Sequence, residues 1–470
     1  MSDRFSPPLD KPRHFRYWQR CLRTLLPHQY TSNDSIRMTL GFFVLAAVDI
    51  LSTPDSPPPK PLIASSDRRR LREWVLACQH PAGGFCGSPT HVLPRYQYEG
   101  YDFEAGTADI ARPGAANIAA TSFALLILAL LAENDSADSA YLGVDRLATL
   151  RWLRRMQRED GSFGEVLVEL PKGNNGQKGS SSHPLIAGGK DMRYCYLAAT
   201  IRWMLRGDLE SGSPGWVEDI DVDALVSHIR RGQIYDGGVA EGSQHESHAG
   251  YGYCAVAALS LLDRPQTGGG RHDSEAIRRG IPDLPALIRF LVSRQLAFLE
   301  QEDDDADDPE TANFSQQSLA TLSLEDSIKY VGFNGRCNKV ADTCYCWWVG
   351  GALAILGHSD LLTPAPARQF ILDKTQHVIG GFSKYPGGPP DIYHGWLGLA
   401  ALATMGDPEL NELDPAMCVS VNTVRKVEKA RAALLLDTKA KLDNSGFGQQ
   451  LLDLGVAQAG KRPEWLSVGV

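Results

Sequence analysis

The chain has 470 residues, 43% of them hydrophobic and 22% charged, with a net charge of −9. That is the balance of a globular protein able to bury a large core, as one big domain or two ordinary ones, and the acidic charge without any basic block argues against a nucleic-acid partner. Most of the nine scattered cysteines are expected as free thiols in a cytoplasmic setting, no apolar leader opens the chain, and runs such as 124–131 are far too short to span a bilayer, so no membrane protein is expected.

Along the chain one pattern recurs: Gln, three residues, Gly, Gly or Ser, then Phe or Val. It appears as QHPAGGF from Gln79, QREDGSF from Gln157, QIYDGGV from Gln233 and QHVIGGF from Gln376. The steps are nearly equal except the last, which is about double, and Gln295 stands near the missing position. Such a period signals one supersecondary unit repeated. Each unit starts with a helical pattern ending near the Gln, as in 71–79 and 150–157, and the Gly-rich turn breaks that helix. An apolar helix follows, at 117–131, 193–205, 248–262, 342–356 and 393–405. Ala, Gly and Cys all round a helix imply burial on every side. The fold class expected is therefore all-α, a closed ring of helix pairs (an α/α toroid) with Ala-rich helices inside, amphipathic helices outside and negligible β-structure. Residues 1–406 form this domain, with loop insertions near 52–64, 172–189, 263–278 and 300–325; residues 407–470 form a charged, partly helical extension.

The residues that suggest chemistry sit at the starts of the apolar helices. In GRCNKVADTCY, Asp342 and Cys344 combine with the distant His394 of DIYHGW into an oxygen, sulfur and nitrogen set of the kind that binds zinc. Three protein ligands leave one tetrahedral position open, which marks a catalytic site rather than a structural one. Arg336 and Lys339 place two cations beside it, as a diphosphate leaving group requires. Parallel inner helices would gather these N-termini, with their positive dipole ends, at one mouth of the ring. Zinc for a thiol and cations for a diphosphate suggest prenyl transfer to a cysteine. Asp303, Asp304 and Asp307 fit a magnesium-diphosphate pattern but lie in a stretch almost without apolar residues, and read as an acidic loop. Cys337 and Cys346 read as small packed residues, and about half of Tyr251, Tyr253, Trp347 and Trp348 are expected to face a cavity.

The string GFNGR-x-NK-x-x-D-x-CY, with DMRY, HAGYGYC and PDIYH in order, resembles the β subunits of protein geranylgeranyltransferase type I, with farnesyltransferase β subunits as close relatives. The resemblance runs from residue 13 to about Met405. It implies zinc on Asp342, Cys344 and His394, and the prenyl diphosphate held by His248, Arg336, Lys339, Tyr345 and Lys384. It implies a prenyl tunnel lined by Thr39, Tyr196, Tyr251, Cys254 and Trp348, and acceptor-peptide contacts from Arg193, Tyr194, Asn117 and Ala119. Thr39 stands where farnesyltransferases carry a bulky Trp, which leaves room for the longer isoprenoid. Lys384 stands where they carry a magnesium-binding Asp, so magnesium is not expected to be required. Asn117 and Gly189 replace a His and a Glu of the family. The resemblance further implies an obligate heterodimer with a prenyltransferase α subunit, geranylgeranyl diphosphate as donor, and Cys-a-a-X proteins such as Rho-type small GTPases, X mainly Leu, as acceptors. Other readings are a farnesyltransferase-type β subunit, a terpene cyclase, which would not need the Asp–Cys–His set, and an inactive ring scaffold.

Overall fold

The computed structural model describes residues 7–53, 61–80, 82–89, 116–168, 185–268, 274–300, 314–318 and 328–443. Its helices alternate between outer and inner partners: α1 (Lys11–Arg23) with α2 (Arg37–Leu51), α3 (Ser65–Ala77) with α4 (Ile118–Leu131), α5 (Arg146–Arg155) with α6 (Met192–Leu205), and α7 (Val222–Gly232) with α8 (Ala249–Leu262). After the short α9 (Glu275–Gly280) come α10 (Leu284–Val292) with α11 (Thr343–Ile355), and α12 (Pro364–Gln369, extended by a π turn to Thr375) with α13 (Ile392–Thr404). The inner helices α2, α4, α6, α8, α11 and α13 each pack on the next, and α13 packs back on α2, so the ring closes. Nearly every residue of α4 and α8 is buried, as expected of helices apolar all round. The outer helix α7, by contrast, buries one stripe of Leu225, Val226, His228, Ile229 and Gly232.

The repeated Gln has a structural role that explains its spacing. Gln79 donates to the carbonyl of Gly143 and accepts from the Asp145 N–H, the N-cap of α5. Gln157 does the same with both backbone groups of Asp221, Gln233 with those of Asp283, and Gln295 with Leu361 and Thr363. Each repeat thus holds the start of the next outer helix, and Gln295 acts at the position where the turn pattern is missing. Gln376 completes the circle by accepting from His14 Nε2 of α1 at 2.9 Å. The glycine that follows serves the same joint. At Gly83, Gly161, Gly237 and Gly380, all at positive φ, a Cβ would meet a backbone carbonyl group of α5, α7, α10 or α1 within 2.6 Å, which no other residue tolerates.

Two expectations need correction. β-structure is not negligible: β3 (Gln295–Glu300) pairs antiparallel with β4 (Phe314–Ser318) and β5 (Val331–Phe333) in a three-stranded sheet between α10 and α11. Two-stranded ladders join β1 (Val166–Val168) to β2 (Leu185–Ala187), β6 (Phe382–Ser383) to β7 (Pro390–Asp391) and β8 (Leu413–Asp414) to β9 (Val419–Ser420). Leu296, Ala297, Phe298, Val331 and Phe333 on β3 and β5 are buried, and pairing with β4 and β5 satisfies the backbone groups of β3. Nor does packing stop at residue 406. The β8–β9 hairpin and α14 (Val421–Asp443) lie across the C-terminal ends of α2, α4, α6 and α13, burying Met417, Val424, Val427, Ala430 and Leu434. Asp303, Asp304 and Asp307, and most of the four expected insertions, lie outside the described residues.

Candidate metal centre and anion cluster

All the inner helices except α2 begin with a polar N-cap whose side chain accepts a hydrogen bond from the first turn: Asn117, Asp191, His248, Asp342 and Asp391. Capping fixes these side chains at one end of the ring. Asp342 Oδ1 accepts from the Cys344 N–H at 2.9 Å and lies 3.2 Å from His394 Nε2. On α13, Asp391 uses one oxygen for the His394 N–H at 2.8 Å and the other for His394 Nδ1 at 2.6 Å, which sets the ring so that Nε2 points at Asp342. One ligand atom each from Asp342, Cys344 and His394, all buried, lie within 4.8 Å of one another, a group able to hold a metal ion.

The electrostatics of this cluster call for a cation. Burial disfavours a charged His394, but the Asp342 and Asp391 carboxylates outweigh it and push the imidazole up to about 9. Burial would also raise Asp342, yet the hydrogen bonds from His394 and Cys344 hold it below its ordinary value. Burial and the Asp342 charge push the Cys344 thiol far up. Two hard or borderline donors and one soft donor, with a carboxylate behind the imidazole, match the donor chemistry of zinc. Lys384 Nζ, on a half-exposed side chain, stands 3.9 Å from Asp342 Oδ2, and its carbonyl accepts from the Thr343 N–H, which ties its loop to the start of α11.

The anion cluster adjoins this centre on α8 and α11. His248 Nδ1 accepts from the Gly250 N–H at 3.0 Å, so the neutral imidazole carries its proton on Nε2 and donates it to Tyr345 Oη, also 3.0 Å away. Burial, with help from Arg336 and Arg193, pulls His248 down to about 4 and keeps it neutral. The Tyr345 hydroxyl accepts from His248 and so retains its own hydrogen to donate. Gly335 makes room for the Tyr345 ring: a Cβ there would lie 2.2 Å from it. Arg336 and Lys339 extend from the same loop, which is shaped by Asn338 at φ 58° and by Asn334 Nδ2 donating to the Lys339 carbonyl. Arg336 pairs with Glu246 at 2.8 Å, while Lys339 is exposed and has no acidic partner among the described residues.

On α6, Arg193 is gripped by the buried Asp191 through two hydrogen bonds of 2.8 and 2.9 Å, leaving most of the guanidinium exposed. Tyr194 donates to Glu165 at 3.3 Å. Asn117 spends its side-chain oxygen on the Ala120 N–H, and Ala119 beside it is half-buried. A Cβ at Gly189 would stand 3.5 Å from both Asp191 Oδ2 and Glu241 Oε1, an ordinary contact distance. Thr39 is half-buried in the first turn of α2. Of the aromatic residues, Tyr196, Tyr251 and Trp348 keep accessible surface, whereas Tyr253 and Trp347 are fully buried, as is Cys254. Cys346 is buried as expected, but Cys337 is exposed at the loop tip.

Sequence reasoning passed over Asp191, Asp391, Glu246 and Tyr393. The two aspartates carried a legible signal, since each stands two or three residues before a chemically suggestive side chain at a helix start. Tyr393 accepts from Trp348 Nε1 at 3.2 Å and contacts the Cys344 thiol; its place directly before His394 was the clue. Glu246 offered none, because its pairing with Arg336 spans a long stretch of chain.

No helix among the described residues is long and apolar enough to cross a membrane. A family model for the prenyltransferase alpha-alpha toroid domain matches residues 9–419. The geranylgeranyl transferase type-1 subunit beta of Arabidopsis thaliana is 27% identical over 88% of this chain and 92% of its own length. The protein of the same description from Dictyostelium discoideum is 26% identical over 87% and 95%. A protein farnesyltransferase subunit beta from Pyricularia oryzae is 25% identical over 85% of this chain and 63% of its own. The solved Candida albicans protein geranylgeranyltransferase-I complexed with GGPP shares the fold, with a TM-score of 0.64 and 23% identity over 90% of this chain and 99% of that one. A closed ring of helix pairs with its polar caps gathered at one mouth, matched along nearly its whole length, makes this chain a member of the prenyltransferase alpha-alpha toroid family.

Proposed function

We propose that the chain is the catalytic β subunit of a zinc-dependent protein geranylgeranyltransferase type I, transferring geranylgeranyl from its diphosphate to the cysteine thiol of Cys-a-a-X proteins, X mainly Leu, in the cytoplasm. The observation that carries this reading is adjacency: Cys344 belongs to the metal-ligating triad and Tyr345, the next residue, belongs to the anion cluster. A thiol-activating metal and a diphosphate cradle on one helix start serve a reaction in which sulfur displaces diphosphate.

Asp342, Cys344 and His394 would hold the zinc, which when bound supplies the Lewis acidity that keeps an acceptor thiol deprotonated at neutral pH. The chain's own groups act on the leaving group. Arg336, Lys339 and Lys384 neutralise charge that grows on the diphosphate, and the Tyr345 hydroxyl donates to it, aimed by His248. Arg336 must leave Glu246 to do so, an exposed pair that costs little to open. Tyr196, Tyr251 and Trp348 receive the isoprenoid, at about 0.8 kcal/mol per buried CH₂. Thr39 supports the longer donor and Lys384 a magnesium-free reaction. Arg193, fixed by Asp191, would meet the peptide's carboxyl end, where Asn117 and Gly189 replace the family's His and Glu. An α subunit would cover Val340, Val378 and Tyr385, which expose apolar surface beside the starts of α11 and α13.

The test is co-purification with a prenyltransferase α subunit and transfer to a Cys-a-a-Leu peptide, with geranylgeranyl and farnesyl diphosphates competing in magnesium-free buffer. Chelator-sensitive geranylgeranyl transfer supports the reading. Preference for farnesyl, or a magnesium requirement, would overturn the roles of Thr39 or Lys384. No transfer by the zinc-loaded heterodimer would overturn the function.

A further inference from the structure

In the first two turns of the inner helices, Leu40, Phe43, Phe123, Tyr196, Trp348 and Tyr393 keep accessible surface. Below that level the inner helices are buried except for Asp49, Arg202, Leu262, Ala354 and Thr404 near their far ends. The lumen is thus a blind well, open at the mouth and closed at its far end. What ends it is the Leu413–Ser420 hairpin, which enters from the opposite end of the ring.

The tip of that hairpin is held rigidly. The Asp414 carboxylate accepts from the Ala416 and Met417 N–H groups and from both terminal nitrogens of the buried Arg264. The Tyr253 hydroxyl donates to the Pro415 carbonyl at 2.8 Å. Cys418 sits at φ 50°, in the left-handed region, and is enclosed by protein yet keeps accessible surface of its own. Its thiol lies near the hydroxyls of Tyr196 and Tyr253 and the thiol of Cys254. Beside it is the fully buried Trp396, whose indole N–H has the Cys418 sulfur as its hydrogen-bond acceptor. An enclosed but accessible wall with rigid backing, faced by a thiol whose polar neighbours satisfy one another, has the character of a stop for a hydrocarbon chain.

We propose that Cys418 is the floor of the prenyl tunnel and sets the longest isoprenoid the site accepts, an inference that rests on the prenyl-transfer reading above. Thr39, in the first turn of α2, bounds the well at its side; Cys418 bounds its depth. A larger side chain at 418 raises the floor, and a smaller one lowers it.

The experiment measures binding of geranyl, farnesyl and geranylgeranyl diphosphates to the heterodimer by calorimetry, for the parent chain, Cys418→Trp and Cys418→Gly. Cys418→Trp should weaken geranylgeranyl diphosphate by on the order of 1,000-fold while leaving geranyl diphosphate unchanged, because only the last isoprene loses its burial. Unchanged affinity for geranyl diphosphate also certifies the fold. Cys418→Gly suits the left-handed backbone and should strengthen binding of a geranylgeranyl diphosphate lengthened by one methylene by about fourfold. Equal weakening at every length, or none at geranylgeranyl, overturns the proposal. If Cys418→Trp does not fold, the glycine variant decides, and no gain for the lengthened donor overturns it. A parent heterodimer that binds none of the three fails the prenyl reading itself, and the floor with it.

Discussion

Replacing Gly335 by Ala should remove catalytic power while sparing the fold. The added Cβ would stand 2.2 Å from the Tyr345 ring, against 3.4–4 Å for ordinary contact, so the phenol must retreat by more than an ångström. What yields is the far end of a side chain rather than backbone, so the stability cost should stay below about 1 kcal/mol. The retreat breaks the 3.0 Å bond from His248 and carries the phenol hydrogen away from the leaving diphosphate. A hydrogen bond to a charged group contributes about 1.5–3 kcal/mol, so kcat/KM should fall by roughly 10–150-fold. The assay is steady-state transfer to a Cys-a-a-Leu peptide for G335A, Y345F and the double variant, with thermal denaturation as the fold control. If both act through the same hydroxyl, the double variant falls no further than Y345F. Additive losses, or parental turnover in G335A, would refute the chain of reasoning.

Other consequences can be checked separately. Asp414→Ala leaves Arg264 buried without its carboxylate, and the midpoint of urea denaturation should fall by the equivalent of about 3–5 kcal/mol; an unchanged midpoint would remove the hairpin's assigned anchor. His14 is held neutral down to about 4, chiefly by burial, while an unfolded His binds its proton near 6.5. The unfolded chain therefore carries the extra proton between those values, and stability should drop by about 3 kcal/mol as pH falls through that window. His248, pulled the same way, adds to it, so the His14 share is read as the difference from His14→Gln, which should show a flatter profile. Equimolar zinc should accompany the purified heterodimer by elemental analysis and be lost on dialysis in Cys344→Ala; full zinc in that variant would dissociate the metal from this triad.

Much of this architecture could be read from local pattern. The apolar helices announced themselves because a helix buried on all sides has no polar stripe, and the ligand residues stood out because caps and ligands coincide at helix starts. The sixth inner helix, α2, was passed over since no Gln-turn precedes it, although its composition is as apolar as that of its neighbours. The three-stranded sheet was missed because a short apolar segment such as QLAFLE is ambiguous until its pairing partners are known. The hairpin's position was illegible for a different reason. Tyr253 with Pro415 and Arg264 with Asp414 are contacts across long separations, fixed by ring closure and by nothing near them in the chain.

The joints between repeats have a geometric consequence. An open solenoid can gain or lose a unit at its ends and change only its length. Here Gln376 and Gly380 meet α1, so there is no end to extend. Adding a helix pair would change the circumference, and with it the calibre of the lumen and the distance between ligands carried on different inner helices. Unit number is therefore locked to bore, and a family built on this ring must adapt to longer or bulkier substrates by changing the residues that line or plug it, one at a time, rather than by duplicating the unit that made it.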